Sequence, residues 1–240
     1  MIHLVREKLN ISGDILVPDE EDMHYLVKVR RIRNGEKISF ASAGDVFETE
    51  CELSGKDAAF KIINKYGDLK NKPKLFAALA SADIQAIEES LRNGVEAGAD
   101  AFFIFRSDYS NTEIKLLEKK LPRLKSIVAS AASQSRRTML PEINFATKEN
   151  LAETDCEHIA LHPYSSMNLD GYECENKKDK MVWIGAEGGF SEHEIRFFEE
   201  KKFAMFSVRT PIMRMENAVT FALAYVKNRI NCSFAGEKND

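Results

Sequence analysis

The stretch WIGAEGGFSEHEI, residues 183–195, decides the fold. An apolar strand runs into a turn with three glycines and one glutamate, Glu187, that is expected to face inward. A helix follows at once. Ser191 and Glu194 have the spacing of a capping box, in which an N-cap hydroxyl and an N3 carboxylate satisfy each other's backbone N–H groups. Strand, tight turn and helix in this order make one step of an α/β sheet. Glycines this dense call for left-handed backbone or for something that approaches the chain closely.

Outward from that stretch the same rhythm repeats. KLFAALA (74–80) is a continuous apolar run, as in a strand buried on both faces. AFFIF (101–105), HIALH (158–162), MVWIG (181–185) and AMFSV (204–208) read as further strands. Between them lie helical faces: Ile84, Ile87, Leu91 and Val95 up to a stop at Gly98, then Leu124, Ile127, Val128 and Ala131. A shorter helix at 113–121 is broken by Pro122. Val219, Ala222, Leu223, Val226 and Ile230 mark the last helix. From Pro73 onward the chain is therefore expected to form an α/β domain with a mainly parallel sheet. Residues 1–70 alternate with period two between turns at Ser12-Gly13-Asp14, Asn34-Gly35, Gly44-Asp45 and Ser54-Gly55, which predicts a small barrel. One helix over 19–31 interrupts it, opening on acidic residues and closing on Arg30, Arg31 and Arg33. The polar segment DLKNKP (68–73) marks the boundary between the two domains.

Composition narrows the function classes. A chain of 240 residues can bury a full core without staples. No apolar run is long enough to cross a bilayer, and the charged start MIHLVREKLNISGD does not have the pattern of a signal peptide. Cys51, Cys156, Cys174 and Cys232 form no CxxC pair, which points to a reducing, cytoplasmic compartment and away from a metal site. The net charge of −4 conceals two basic segments. Residues 24–37 hold five lysines and arginines against one glutamate, and residues 115–137 hold seven against one.

In an open parallel sheet, ligands sit beyond the carboxyl ends of strands. The turn 185–189 lies at such an end, yet it is neither GxGxxG nor GxxxxGK[ST]. Its chemistry suits a ligand gripped by backbone groups, such as an adenine. LHPY (161–164) and SVRTPIMRMENA (207–218) end two other strands with equally unusual loops, and the three ends are expected to converge on one pocket.

These segments carry a resemblance. IGAEGGFSEHE is similar to IGPEGGFS-x-x-E, and PIMRMENA resembles RILRxETA; both are signatures of the RsmE family, which methylates N3 of a uridine in 16S ribosomal RNA. HYLVKVRRIRNGEKI and ASQSRRTMLPEI look like the family's H-x-x-VLR-x-x-x-G-D-x-I and EQSGR-x-x-x-P-x-I. The motifs keep the family's order over nearly the whole chain. The resemblance implies a PUA-like RNA-binding barrel, a SPOUT-type domain with a trefoil knot, S-adenosylmethionine as donor, a homodimer, the small ribosomal subunit or its RNA as partner, and no metal. Departures are also present: Ala186, Arg209, Pro211, Asn217, Asn93, Ser133 and Arg136 replace residues of the pattern. Several of the lost positions are polar ones on the presumed RNA side, and the donor-binding loops are better kept.

Carried over position by position, the resemblance assigns the donor to Leu161, His162, Pro163, Ile184, Gly185, Glu187, Gly188, Gly189, Val208, Ile212 and Met213. Arg214 and Glu216 are the catalytic candidates. N3 of uracil is a poor nucleophile until its proton leaves, and Arg214 would stabilise the resulting anion. Glu216 or water would take the proton. Arg30, Arg31, Arg33, Gln134 and Arg137 are expected to meet RNA. A noncatalytic RNA-binding protein on the same scaffold, and a related methyltransferase with another RNA target, are the competing readings.

Overall fold

The computed structural model describes residues 1–54, 57–67, 73–174 and 177–235. The expected turn at Ser54-Gly55 and most of the expected 68–73 linker lie outside the described residues. Contacts divide the chain into two units. The first is Met1–Lys70 together with Ala132–Leu140, and the second is Asn71–Ala131 with Pro141–Asp240.

The first unit contains β1 (Ile2–Val5), β2 (Asn10–Ser12), β3 (Ile15–Val17), helix α1 (Glu20–His24), β4 (Lys37–Ser42), β5 (Asp45–Ser54) and β6 (Asp57–Gly67). The strands pair in the order β1-β4-β5-β6-β3-β2, and only β1 and β4 run parallel. Strands four places apart in this order, β1 with Leu4 and β3 with Leu16, share one buried core with Leu26, Ile38, Phe40 and Phe60. A sheet whose first and fifth strands meet in one core must curl.

The helix expected over 19–31 is shorter and changes type. Asp19 caps it by accepting from the Asp22 N–H, and Tyr25–Val29 form a π-helical turn. Arg30 is the last cap, and Arg31 is left-handed at φ 52°. The segment that returns from residue 132 is stitched to the sheet. Val5 N–H donates to Ser133 Oγ at 3.2 Å, and Gly44 N–H donates to the Thr138 carbonyl at 3.1 Å. His3 Nε2 lies 2.8 Å from the Arg137 carbonyl, so this nitrogen carries the proton, and Nδ1 is 2.9 Å from Ser39 Oγ.

The second unit is one six-stranded sheet. Its elements are β7 (Leu75–Ala80), α2 (Ile84–Glu96), β8 (Ala101–Phe105), α3 (Ile114–Lys119), α4 (Leu121–Gln134), β9 (Glu142–Phe145), α5 (Lys148–Ala152), β10 (Glu157–Leu161), β11 (Lys180–Ile184), α6 (Glu192–Glu200), β12 (Ala204–Phe206) and α7 (Met215–Ala235). The last residues of α4 count with the first unit. Strand order is β12-β10-β11-β7-β8-β9, and every pair is parallel. Parallel pairing turns all carboxyl ends to one side, so the loops after β10, β11 and β12 come together there.

One face of the sheet is aromatic, built on Phe105, Trp183, Phe198 and Phe203. Over the other face α7 packs on α2, β7 and β11. Gly94 lets α2 approach: a Cβ there would lie 2.6 Å from the Phe102 ring. Pro122 stands in the first turn of α4, where its missing N–H is harmless, so the helical stretch restarts at it.

Candidate active site

The glycine turn closes on itself. Gly189 N–H donates to the Ala186 carbonyl at 2.8 Å, and Gly189 has φ 73°. A Cβ added to Gly185 would stand 2.7 Å from the carbonyl carbon of Gly189. The close approach that the sequence demanded is thus made by the turn's own backbone. At Gly188 an added Cβ would meet Tyr109 at 3.1 Å, while one at Gly189 would project into open space. Glu187 is exposed, contrary to the inward-facing expectation, and has no hydrogen bond or ion pair among the described residues. It sits at the tip of the two-residue return between Ala186 and Gly189.

The turn is held from behind. The capping box is present: Ser191 Oγ accepts from the Glu194 N–H at 3.1 Å, and Glu194 Oε2 accepts from the Ser191 N–H at 3.0 Å. Glu194 is fully buried and also accepts from Ser107 Oγ at 3.1 Å and from the Asp108 N–H at 3.2 Å. A buried carboxylate with this many donors satisfies its lone pairs. The Ser191 hydroxyl donates to Asp108, and that bond, assisted by Lys148 and His193, holds the Asp108 carboxyl below the usual range. Loop 106–110, which carries Tyr109, is therefore locked to the start of α6.

The neighbouring loops are tied to each other by backbone bonds. His162 N–H donates to the Phe206 carbonyl at 2.9 Å, and Ser207 N–H to the Met167 carbonyl at 2.8 Å. Ser165 Oγ reaches the Met205 carbonyl at 2.7 Å. Burial pushes the His162 imidazole below the usual range, and Tyr164 packs edge-on against it.

Between these loops lies a cavity of about 790 Å³. Leu161, His162 and Pro163 line it after β10. Ile184, Gly185, Glu187, Gly188 and Gly189 line it after β11, and Val208, Ile212, Met213, Arg214 and Glu216 after β12. Every residue expected at the donor and the two catalytic candidates thus meet in one space. The Arg214 side chain is exposed and makes no ion pair among the described residues. Asn217 is inside α7, so it does not cap that helix. Arg30, Arg31, Arg33, Gln134 and Arg137 all belong to the first unit, and all but the half-buried Arg137 are exposed.

A fourth wall escaped the sequence reading. Asp83, Gln85, Ala86 and Glu89, from the start of α2, also line the cavity. The signal was an Asp N-cap immediately after a buried strand, followed by polar residues at i and i+4 off the apolar face.

The chain matches the RNA methyltransferase domain family over residues 70–227 and the RNA methyltransferase PUA domain over residues 18–63. It belongs to this RNA methyltransferase family. It is 31% identical to "Ribosomal RNA small subunit methyltransferase E 2" of Borreliella burgdorferi over 236 residues, covering 95% of this chain and 97% of that one. The Bacillus subtilis "Ribosomal RNA small subunit methyltransferase E" is 25% identical, with 94% of both chains covered. Among solved structures, the Neisseria gonorrhoeae methyltransferase E bound to S-adenosyl methionine superposes with a TM-score of 0.82 at 21% identity, covering 95% of this chain and 97% of that chain. That likeness establishes a shared methyltransferase fold. Among the described residues no helix is long and apolar enough to cross a membrane, and no cluster of His, Cys, Asp and Glu could hold a metal ion.

Proposed function

We propose that the chain transfers a methyl group from S-adenosylmethionine to N3 of a uridine in the RNA of the small ribosomal subunit. One observation carries this reading: the three strand-end loops bring the residues expected at the donor and Arg214 into a single cavity. The cavity suits the donor. Its volume is in the range of about 300–1,000 Å³ common for small-molecule pockets. Ile184, Leu161 and Val208 offer apolar walls to an adenine, and the glycine turn presents backbone groups with no Cβ in the way.

The donor supplies an already activated methyl group. The protein's share is alignment and electrostatics. Backbone groups of 161–163, 185–189 and 208–213 fix the donor. Arg214, at the start of α7 and without an ion pair among the described residues, faces the negative charge that develops on the uracil oxygens as N3 loses its proton. Glu216 stands beside it. Arg30, Arg31, Arg33, Gln134 and Arg137 form phosphate contacts that position RNA without reading sequence. A trefoil threading of the loops after β11 and β12 agrees with α7 lying on β7 and β11 although β12 is an edge strand. A homodimer agrees with the exposed Tyr164, Ile212 and Phe221. A cytoplasmic location follows from the substrate.

The test is methyl transfer from labelled S-adenosylmethionine to small subunits from a strain lacking this gene, followed by nucleoside identification. Label in N3-methyluridine is the expected result. Label in another nucleoside would move the assignment to a different target. Donor binding with no label in any RNA would favour a noncatalytic RNA-binding role.

A further inference from the structure

Gln85, Glu89 and Asn93 lie at i, i+4 and i+8 on α2 and so form one stripe along that helix. Its far end is fixed: Asn93 Nδ2 is 3.5 Å from the Glu216 carbonyl, at the start of α7. Gly94 and Gly98 approach Leu223 and Lys227 further on, so α2 and α7 run side by side in the same direction. The near end of the stripe, Gln85 and Glu89, lines the cavity whose mouth Arg214 and Glu216 flank. Within that wall Asp83 is already committed, since its carboxylate caps the N–H groups of Gln85 and Ala86 at 2.9 and 3.1 Å. Gln85 Nε2 donates to Glu89 Oε1 at 3.0 Å, which anchors the carboxylate, while Oε2 has no partner among the described residues.

We propose that Glu89 is the proton acceptor for the target base and that Gln85 positions it. The proposal rests on the uridine-N3 reading above. Uracil offers one donor, N3–H, between two carbonyl oxygens. A carboxylate oxygen facing N3–H and a guanidinium facing a carbonyl match two of those three groups, and Glu89 and Arg214 line the same cavity. In the step, the N3 proton passes to Glu89 Oε2. The N3 electron pair forms the bond to the methyl carbon. The carbon–sulfur bond breaks, its pair stays on sulfur, and the sulfonium becomes a neutral thioether. The proton then leaves Glu89 for solvent. Glu216 is the less anchored alternative: its carbonyl is engaged by Asn93 and Thr220, while its carboxylate has no partner among the described residues. A base held by a second side chain is pre-set for transfer.

The experiment compares the full-length wild type, Glu89→Gln, Gln85→Leu and Glu216→Gln. Single-turnover methyl transfer to unmethylated small subunits is measured from pH 6 to 9, with donor affinity by calorimetry and RNA affinity by gel shift. Glu89→Gln is expected to slow transfer by about 10²–10⁴-fold. Its donor and RNA affinities should stay within about threefold, which also shows that it folds. Its residual rate should climb tenfold per pH unit, because only the solution-formed anion then reacts. Gln85→Leu should slow transfer less and keep the wild-type pH profile, since the carboxylate remains. Two outcomes overturn the proposal: Glu89→Gln transferring at the wild-type rate, or Glu89→Gln losing donor affinity in step with rate. A wild type that labels no uridine N3 removes the functional reading itself, which separates that failure from a failure of Glu89. A large loss in Glu216→Gln together with a small one in Glu89→Gln would transfer the role to Glu216.

Discussion

Gly185 and Gly189 are in contact through backbone alone: a methyl group on Gly185 would sit 2.7 Å from the carbonyl carbon of Gly189. The atoms it would strike are main chain, so no side chain can swing aside. Gly185→Ala must open the turn that forms one wall of the cavity. Overpacking of this kind costs about 1–3 kcal/mol, and a cost of that size on the binding-competent turn is about 5- to 150-fold in donor affinity. Calorimetric titration of S-adenosylmethionine measures it, and an unchanged affinity would show that the turn does not contact the donor.

The Arg214 side chain has no hydrogen bond or ion pair among the described residues, so its removal should leave the rest of the cavity in place. Arg214→Ala is expected to keep donor affinity and thermal midpoint while transfer falls by about 10²–10³-fold, the usual effect of deleting a group that stabilises developing negative charge. Donor titration and single-turnover rates on one preparation give both numbers. Wild-type turnover would remove Arg214 from the chemistry.

His158 links stability to pH. The fully buried Trp183 donates its indole N–H to His158 Nδ1 at 3.1 Å, and His158 Nε2 faces the Thr154 carbonyl at 3.2 Å. The ring therefore is neutral with the proton on Nε2, and burial pushes its pKa below the usual value near 6.5, against the pull of the Thr154 carbonyl. A depressed pKa gives stability that is fully present above the unfolded value and is lost as pH falls through the folded one. The thermal midpoint should drop between pH 7 and pH 5. In His158→Phe the midpoint at pH 7 should be lower, because the Trp183 N–H loses its acceptor, and the acid drop should be shallower. An acid drop as steep as wild type would assign the effect to other groups.

Gly94 is a packing position and not a hinge. It stands on α2 where a Cβ would meet Phe102 at 2.6 Å and Leu223 at 3.3 Å. Alanine is the better helix former, yet here it must push α2 away from the sheet. Gly94→Ala is expected to destabilise by about 1–3 kcal/mol in urea unfolding. A stabilised variant would mean that the Phe102 ring yields.

The parallel sheet was legible because its inner strands are buried on both faces. AFFIF (101–105) matches β8 residue for residue, and β11 is buried along its whole length. The capping box at Ser191 and Glu194 was legible because it is local. Edge elements were not. β9, with Glu142 and Asn144 in four residues, lacks an apolar run, and β1 was hidden in a charged N-terminus. The cavity wall from Gln85 and Glu89 was missed because a polar pair off an apolar face reads as solvated surface. Glu187 was misplaced because glycine flanks do not reveal which way a side chain turns. The return of 132–140 to the first unit depends on bonds between residues more than a hundred positions apart, beyond the reach of any local pattern.

That return bears on how the protein is made. β1 to β6 are all synthesised by residue 67, so they can pair as they leave the ribosome. The carbonyl that receives the His3 Nε2 proton, on Arg137, is added 134 residues after His3 itself. Ser133, which accepts from the Val5 N–H, arrives almost as late. By then β7 and β8 of the other unit have already been translated. The first unit thus starts to fold before the second but reaches its full set of bonds only after β7 and β8 of the second have been translated.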